Sequence, residues 1–173
     1  MKKKLILIIT ILIVLASPFI YKYIIYPISL YISPKYALNQ FLKRECAEDQ
    51  LINPLIISGK KVIPYLMKEI DNKKMHRRRY AISALGHIGD ENIIPFLMGI
   101  LNDDKEIYYF RYDSLEAISM IDIEKAKKVA RIFVNKEIDL VSEFCKELIE
   151  SKNPRKIVRK KRTIWEAILD RHL

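Results

Sequence analysis

The feature that most constrains this chain is an internal repeat. Residues 78–88, RRYAISALGHI, recur 33 residues later as residues 111–121, RYDSLEAISMI, and most of the small and branched apolar residues coincide. A period in this range predicts stacked helix pairs, because one pair alone cannot bury its apolar face. The chain also has only four glycines, which argues against a β-sandwich with many tight turns. We therefore expect an all-α fold.

A second element of the repeat follows residues 78–88, and its match lies earlier in the chain. GDENIIPFLMGIL, residues 89–101, matches GKKVIPYLMKEI, residues 59–70, and both carry apolar residues at helical spacing. Pro64 and Pro95 lie near the predicted helix starts, where a missing N–H costs least. Asp90 is a good cap for the helix that follows it. The repeat unit is therefore predicted to be an antiparallel pair of helices.

The combined pattern, R-x-x-A-x-x-A-L-G-x-I-G-D followed by a helix that begins near I-P-x-L, resembles the short bacterial HEAT-like repeat. The match is specific over residues 78–101, recognisable over 111–122 and half-present over 59–70. The whole chain also resembles a group of uncharacterised bacterial HEAT-repeat proteins with one N-terminal anchor. The resemblance implies a short α-solenoid of about four helix pairs, whose terminal units depart from the consensus.

Residues 34–151 are predicted to hold these pairs, and residues 152–173 to form a basic segment and a C-terminal capping helix. We expect Trp165, Ile168 and Leu169 of that cap to close the core at the last pair. The predicted pairs are Pro34–Cys46 with Gly59–Asn72 across an irregular link, the pair within Arg77–Leu101, Lys105–Met120 with Glu124–Asn135, and residues 138–151 with the cap.

Residues 1–33 are predicted to be a membrane anchor. Lys2, Lys3 and Lys4 precede sixteen uncharged residues, LILIITILIVLASPFI. A helix from Leu5 to Tyr26 would span roughly 30 Å at about 1.5 Å per residue. The tyrosines that follow resemble an interfacial aromatic belt. The alternative is a signal peptide that is cut near Ser17, which would release a secreted domain.

The distribution of lysine and arginine predicts the orientation of this anchor. The three lysines and the amino terminus lie on one side, and Lys35, Lys43 and Arg44 lie further from the span on the other. The positive-inside rule then favours a cytoplasmic N-terminus. We expect a single-pass protein of the bacterial cytoplasmic (inner) membrane, with its domain outside the cytoplasm.

The sequence carries little that resembles catalytic chemistry. It has three histidines but no HExxH, paired CxxC, glycine-rich phosphate loop or GxSxG motif. His87 falls at a variable position of the repeat, so we expect it at the surface. Cys46 and Cys145 belong to distant repeats and are expected to remain unpaired. We expect no enzyme activity, no cofactor and no metal; the alternative is a HEAT-like enzyme or enzyme subunit of the lyase-associated kind.

An arginine and tyrosine ridge is the first candidate binding surface. Its residues begin the first helices of two adjacent repeats, which would place them side by side, and this composition is typical of interface hot spots. The flanking Arg78 and Arg111, with Asp90, are expected to make structural polar contacts. Four residues of the ridge have no evident structural duty: Arg77, Arg79, Tyr108 and Tyr109. The alternative is a solvated edge. The ridge comprises Arg77, Arg79, Tyr80, Tyr108, Tyr109 and Tyr112.

The second candidate surface is KNPRKIVRKKR, residues 152–162, in a chain whose net charge is +10. It is predicted to bind anionic lipid headgroups or an envelope polymer, or else to be a plain solvated segment. No aromatic residue is interleaved with it, so nucleic acid is not an expected partner. Its cations are Lys152, Arg155, Lys156, Arg159, Lys160, Lys161 and Arg162.

Together these features predict a non-catalytic, membrane-anchored protein interaction module in the cell envelope. A scaffold and an immunity or inhibitor protein both belong to this class, and the protein partner is not identified by any residue. The runners-up are the HEAT-like enzyme and a protein that binds an anionic polymer or lipid.

Overall fold

The computed structural model describes residues 10, 13–135 and 140–170 of the chain. Those residues are helical, without a β-strand among them, so the prediction of an all-α fold is confirmed. Residues 2–4 and the start of the predicted span lie outside this part. The helices are α1 Ile13–Ile32, α2 Pro34–Lys43, α3 Asn53–Ser58, α4 Ile63–Asp71, α5 Arg78–Ile88, α6 Ile94–Asn102, α7 Tyr108–Ile121, α8 Ile123–Phe133, α9 Leu140–Glu150 and α10 Ile164–Leu169.

Helix α1 is long and apolar enough to cross a membrane. It has 20 residues with a mean hydropathy of 1.5, and only 17% of its most apolar window is buried. A signal sequence has the same properties. The residues after Ile25 belong to the domain as well, because Tyr26 and Leu30 are buried there and the Tyr26 ring packs edge-on against Tyr36.

Short local signals set the helix boundaries within the repeats. Helix α5 ends at Gly89, whose φ of 74° lies in the left-handed region that favours glycine. The Asp90 carboxylate then accepts a hydrogen bond from the Asn92 N–H and caps the next turn. Pro64 and Pro95 occupy the first turns of α4 and α6, as their positions in the sequence predicted.

The first helices of the two best-matched units, α5 and α7, pack directly against each other. A small residue makes this possible: a Cβ added at Gly86 would lie 2.9 Å from the Cα of the buried Ala117. Helix α4 packs on α5, α6 packs on α7, and α9 packs on α7 and α8. One continuous apolar core joins these helices.

The predicted irregular link between α2 and α4 is wrong, because it contains helix α3. All six residues of α3 are buried, and the helix contacts α1, α2, α5 and α10. Pro54 lies in its first turn and Gly59, with a φ of 64°, ends it. The apolar run Leu55 to Ile57 makes this short helix the centre of the N-terminal part of the core.

The predicted position of the C-terminal cap is also wrong. Helix α10 packs against α3, at the N-terminal side of the domain, and does not close the last pair. Ile168 is buried there, but Trp165 and Leu169 are 73% and 67% exposed. The preceding segment reaches α3 by running back across α7 and α5, where Arg159 contacts Glu116 and Ser83.

We predict that Gly86→Ala destabilises the domain by about 1–3 kcal/mol, because the new methyl overpacks against the backbone of α7. Gly99→Ala is the matched control: Gly99 is also helical, and a Cβ there would meet no atom within 4 Å. That substitution should stabilise the chain by about 0.5–1 kcal/mol through helix propensity. Urea unfolding of the full chain measures both, and equal effects would contradict the close contact of α5 and α7.

Candidate functional site

Two buried arginines hold the first helices in place. The Arg78 Nε–H donates to the Ile70 carbonyl over 2.7 Å, and the Arg111 Nε–H donates to the Leu101 carbonyl over 2.9 Å. Both carbonyls lie one residue before the end of a second helix, α4 or α6. The two contacts therefore repeat with the sequence, and each joins a first helix to the end of the preceding second helix.

Each of the two arginines also lies near an acidic residue, but the two acids differ in distance and burial. Arg78 lies 2.8 Å from Glu106, and both side chains are almost fully buried. Arg111 lies 3.6 Å from Asp104, which is 91% exposed. Asp90 caps a helix turn, and its carboxylate also forms an ion pair with the Lys60 ammonium at 3.4 Å. Structural contacts thus account for Arg78, Arg111 and Asp90.

The structure contradicts the expectation that Arg77 and Arg79 have no structural duty. Arg77 donates hydrogen bonds to the Phe41 and Arg44 carbonyls at the end of α2. Arg79 donates to both carboxylate oxygens of Asp113, over 2.7 and 3.0 Å, and thereby joins α5 to α7. Because the Asp113 side chain is only 5% exposed, removing Arg79 would leave a buried carboxylate without its cation.

The four tyrosines of the ridge differ in exposure. Tyr108 and Tyr109 are 38% and 40% exposed, and their ring centroids lie 4.0 Å apart. The Arg79 guanidinium lies 5.0 Å from the Tyr109 ring. Tyr112 packs against Phe144 in the domain. A hydrogen bond to Glu48, together with burial, raises the pKa of the half-buried Tyr80 hydroxyl.

The basic segment is folded onto the domain over part of its length. Arg159 lies 3.2 Å from the Ser83 hydroxyl and 3.6 Å from Glu116. Arg162 donates to the Asn53 side-chain oxygen over 2.6 Å and pairs with Asp170 at 3.0 Å. These arginines anchor the segment across α7, α5 and α3.

The other cations of this segment are exposed. Lys160 lies 3.2 Å from Glu166, also at the surface. Lys161 lies over Gly89, so a Cβ there would meet its ammonium. The short turn Pro154–Lys156 contains Arg155 and Lys156, and Lys152 precedes it. None of these three cations forms an ion pair with any residue that the structure describes.

A cleft of about 520 Å³ lies between α5 and the returning basic segment. It brings together residues from the two surfaces that the sequence predicted separately: Arg79 and Tyr80 from the ridge, and three cations from the segment. Tyr108, Tyr109 and Tyr112 do not line it. Its lining comprises Glu48, Ile52, Arg79, Tyr80, Ser83, His87, Asp113, Arg159, Lys160 and Arg162.

His87 lies at the base of this cleft and not at the surface, which corrects the sequence expectation. It is 8% exposed, and its Nδ1 accepts a hydrogen bond from the Arg162 backbone N–H over 2.9 Å. Burial, followed by the positive charges of Arg159, Arg162 and Lys161, lowers the pKa of His87 to about 4. The imidazole is therefore neutral and acts as an acceptor that fixes the basic segment.

Three kinds of group bear on whether the described residues could carry catalysis: metal-binding clusters, cysteines and buried acids. The described residues include no cluster of three histidines, cysteines or acids that could hold a metal ion. Cys46 and Cys145 are not joined by a disulfide. Glu116 is a buried acid whose pKa is raised by burial, but its position beside Arg159 is that of a structural partner.

Comparison with known protein families, with curated proteins and with solved structures found no match for this chain.

The cleft was not predicted from the sequence, since its two walls are far apart in the chain. Ser83 lines the cleft and Asn53 holds Arg162 of its wall, and no motif marks either residue. The cationic character of both walls was the one signal that pointed to it.

We predict that His87 makes the stability of the domain depend on pH. Its unfolded pKa is about 6.5 and its folded pKa is lower, so the unfolded chain binds the proton first as pH falls. The free energy of unfolding should fall by up to about 3 kcal/mol between about pH 7 and pH 4 relative to His87→Asn, which keeps an acceptor but does not titrate. Urea unfolding at several pH values measures this difference, and parallel profiles would contradict a buried neutral imidazole.

Proposed function

We propose that this chain is a non-catalytic, membrane-anchored binding module whose cleft receives an acidic segment of a partner protein in the cell envelope. One observation carries the proposal: two residues of the ridge, Arg79 and Tyr80, and three cations of the basic segment line the same cleft, although the two stretches are separate in the sequence. A scaffold and an immunity or inhibitor protein are both forms of this function.

The charges of the cleft favour an acidic partner. Its lining includes four cations, Arg79, Arg159, Lys160 and Arg162, but only two carboxylates, Glu48 and Asp113. Asp113 and Arg79 pair with each other, whereas Arg159, Lys160 and Arg162 pair with carboxylates that do not line the cleft, those of Glu116, Glu166 and Asp170. The positive excess is therefore confined to the surface of the cleft itself. An excess of positive charge within a concave surface attracts carboxylates and raises their rate of encounter.

The cleft is also organised before binding. Buried partners hold Arg79, Arg159 and Arg162 in position, so little side-chain freedom remains to be lost when a ligand binds. The Tyr109 ring contacts Arg79, which lines the cleft, so Tyr109 and its neighbour Tyr108 lie beside the cleft. Paired, exposed tyrosines are typical anchors of protein interfaces.

We further infer that the helices form a short solenoid of HEAT-like pairs. The packing of α5 on α7 and the repeated arginine contacts support this arrangement. Stacked pairs provide a rigid extended surface. Helix α1 would anchor this surface in the cytoplasmic membrane, with its N-terminus inside and the domain outside.

Site-specific photocrosslinking in the native host membrane tests the cleft. We predict that benzoylphenylalanine at Tyr109 forms a covalent adduct with a partner, whereas the same residue at the similarly exposed Tyr65 forms none. Lys160→Ala should reduce the Tyr109 adduct by about tenfold, equivalent to about 1.4 kcal/mol, because a cation of the cleft is lost.

Lys68→Ala is the matched control, because Lys68 is an exposed cation of α4 that does not line the cleft. In Lys68→Ala the Tyr109 adduct should form with the same yield as in the chain that keeps Lys68. Added salt should weaken capture of the partner. Equal adducts at Tyr65 and Tyr109, or a yield that Lys160→Ala leaves unchanged, would contradict the proposed cleft.

Protease treatment of spheroplasts tests the topology. We predict that added protease digests residues from about 34 onward while the mature N-terminus remains Met1 or Lys2, because an uncleaved anchor holds an external domain. A domain that resists protease until the cells are lysed would contradict the orientation. A new N-terminus near Ser17 would contradict the anchor.

A further inference from the structure

Helix α10 presents an apolar surface that the domain does not cover. Ile164, Trp165 and Leu169 are 46%, 73% and 67% exposed. Ala167 and Ile168 are buried, and the helix packs against α3. Ile164 lies one turn before Ile168 at the edge of this contact, whereas Trp165 and Leu169 share the neighbouring, more exposed face. Three large exposed apolar side chains on one six-residue helix form a patch of the kind that binds another surface.

This patch lies next to the end of the candidate membrane helix. Helix α3 contacts both α10 and the last turns of α1. A cavity of about 480 Å³ is lined by Tyr31 of α1 and by Ile164 of α10. The exposed face of α10 therefore begins beside Tyr31.

The distance along α1 places Tyr31 at the depth of the lipid headgroups. The predicted hydrocarbon span ends at Tyr26, and Tyr31 lies about 7.5 Å further along the axis at about 1.5 Å per residue. One headgroup layer is about 5–8 Å thick. Ile28 and Ile32, on the same part of α1, are 51% and 68% exposed. Apolar residues therefore continue to this level.

Cations border the same cavity, as expected for contact with anionic headgroups. Its lining includes Lys60, Lys61 and Arg162. The Lys61 ammonium lies 3.8 Å from the centre of the Tyr31 ring, so its charge lies close to α1. Ser58, which is 1% exposed, also lines the cavity, and its hydroxyl has no hydrogen-bond partner among the described residues.

We propose that α10 is a second membrane contact: Ile164, Trp165 and Leu169 insert into the interfacial layer of the bilayer that α1 crosses, while Lys60 and Lys61 face its anionic headgroups. The domain then lies against the membrane through two elements. Amphipathic combinations of aromatic and cationic side chains are typical of such interfacial helices. The proposal requires α1 to be inserted, but it does not depend on the proposed partner cleft.

Trp165 is the only tryptophan of the chain, so its fluorescence reports this contact directly. The full chain is reconstituted into nanodiscs of phosphatidylcholine and phosphatidylglycerol, with or without bromine on the acyl chains. We expect brominated lipid to remove about half of the Trp165 emission, because interfacial helices insert their apolar face about 5–10 Å into the headgroup and acyl boundary. Aqueous acrylamide should quench it weakly.

Two variants calibrate the measurement, both in a Trp165→Phe background. Tyr23→Trp places the probe in α1, and brominated lipid should quench it strongly. Tyr109→Trp places the probe on the ridge, where acrylamide should quench it and brominated lipid should not. Replacing both Lys60 and Lys61 by glutamine should reduce the quenching of Trp165 in discs that contain phosphatidylglycerol but not in neutral discs.

Emission from Trp165 that acrylamide quenches and brominated lipid does not would overturn the proposal. Protection from both quenchers would also overturn it, because a second copy or another protein would then cover α10. If brominated lipid fails to quench Tyr23→Trp as well, α1 is not inserted and the proposal fails with the anchor. None of these results bears on the photocrosslinks at the cleft.

Discussion

The domain depends on two buried guanidinium groups that join one repeat unit to the next. Arg78 and Arg111 each bind the carbonyl one residue before the end of a second helix, where the unsatisfied carbonyls and the helix dipole favour a cation. These contacts fix α5 beside the end of α4 and α7 beside the end of α6, while Gly86 permits the close approach of α5 to α7. The spacing of the units is therefore set by polar geometry as much as by apolar packing.

The returning C-terminal segment makes contacts that do not follow the repeat. It crosses α7 and α5 and ends on α3, so it contacts units that are not its neighbours in the sequence. Each crossing uses a specific acceptor: Glu116, Ser83, His87 and Asn53. A cationic segment that could have remained solvated is thereby converted into one wall of a cleft.

The local periodicity of the sequence predicted the helices of the best-matched units, because caps, prolines and apolar spacing act over a few residues. It could not predict where α10 packs, since a six-residue apolar helix fits more than one exposed core surface. The same limit explains His87: the repeat pattern marks that position as variable, and only the distant Arg162 backbone buries it. For the candidate site, the sequence identified all four cations but neither the cleft nor the carboxylate, Asp113, that holds Arg79.

The bond between Arg162 and Asn53 also determines when the domain can finish folding. The two residues are 109 positions apart, and at about 5–20 residues per second the ribosome needs roughly 5–20 s to make the chain between them. During that time α3 lacks its partner α10. The apolar core around α3 is therefore completed only after the C-terminal segment has been made, and all the other helices that contact α3 are available to it before α10 is.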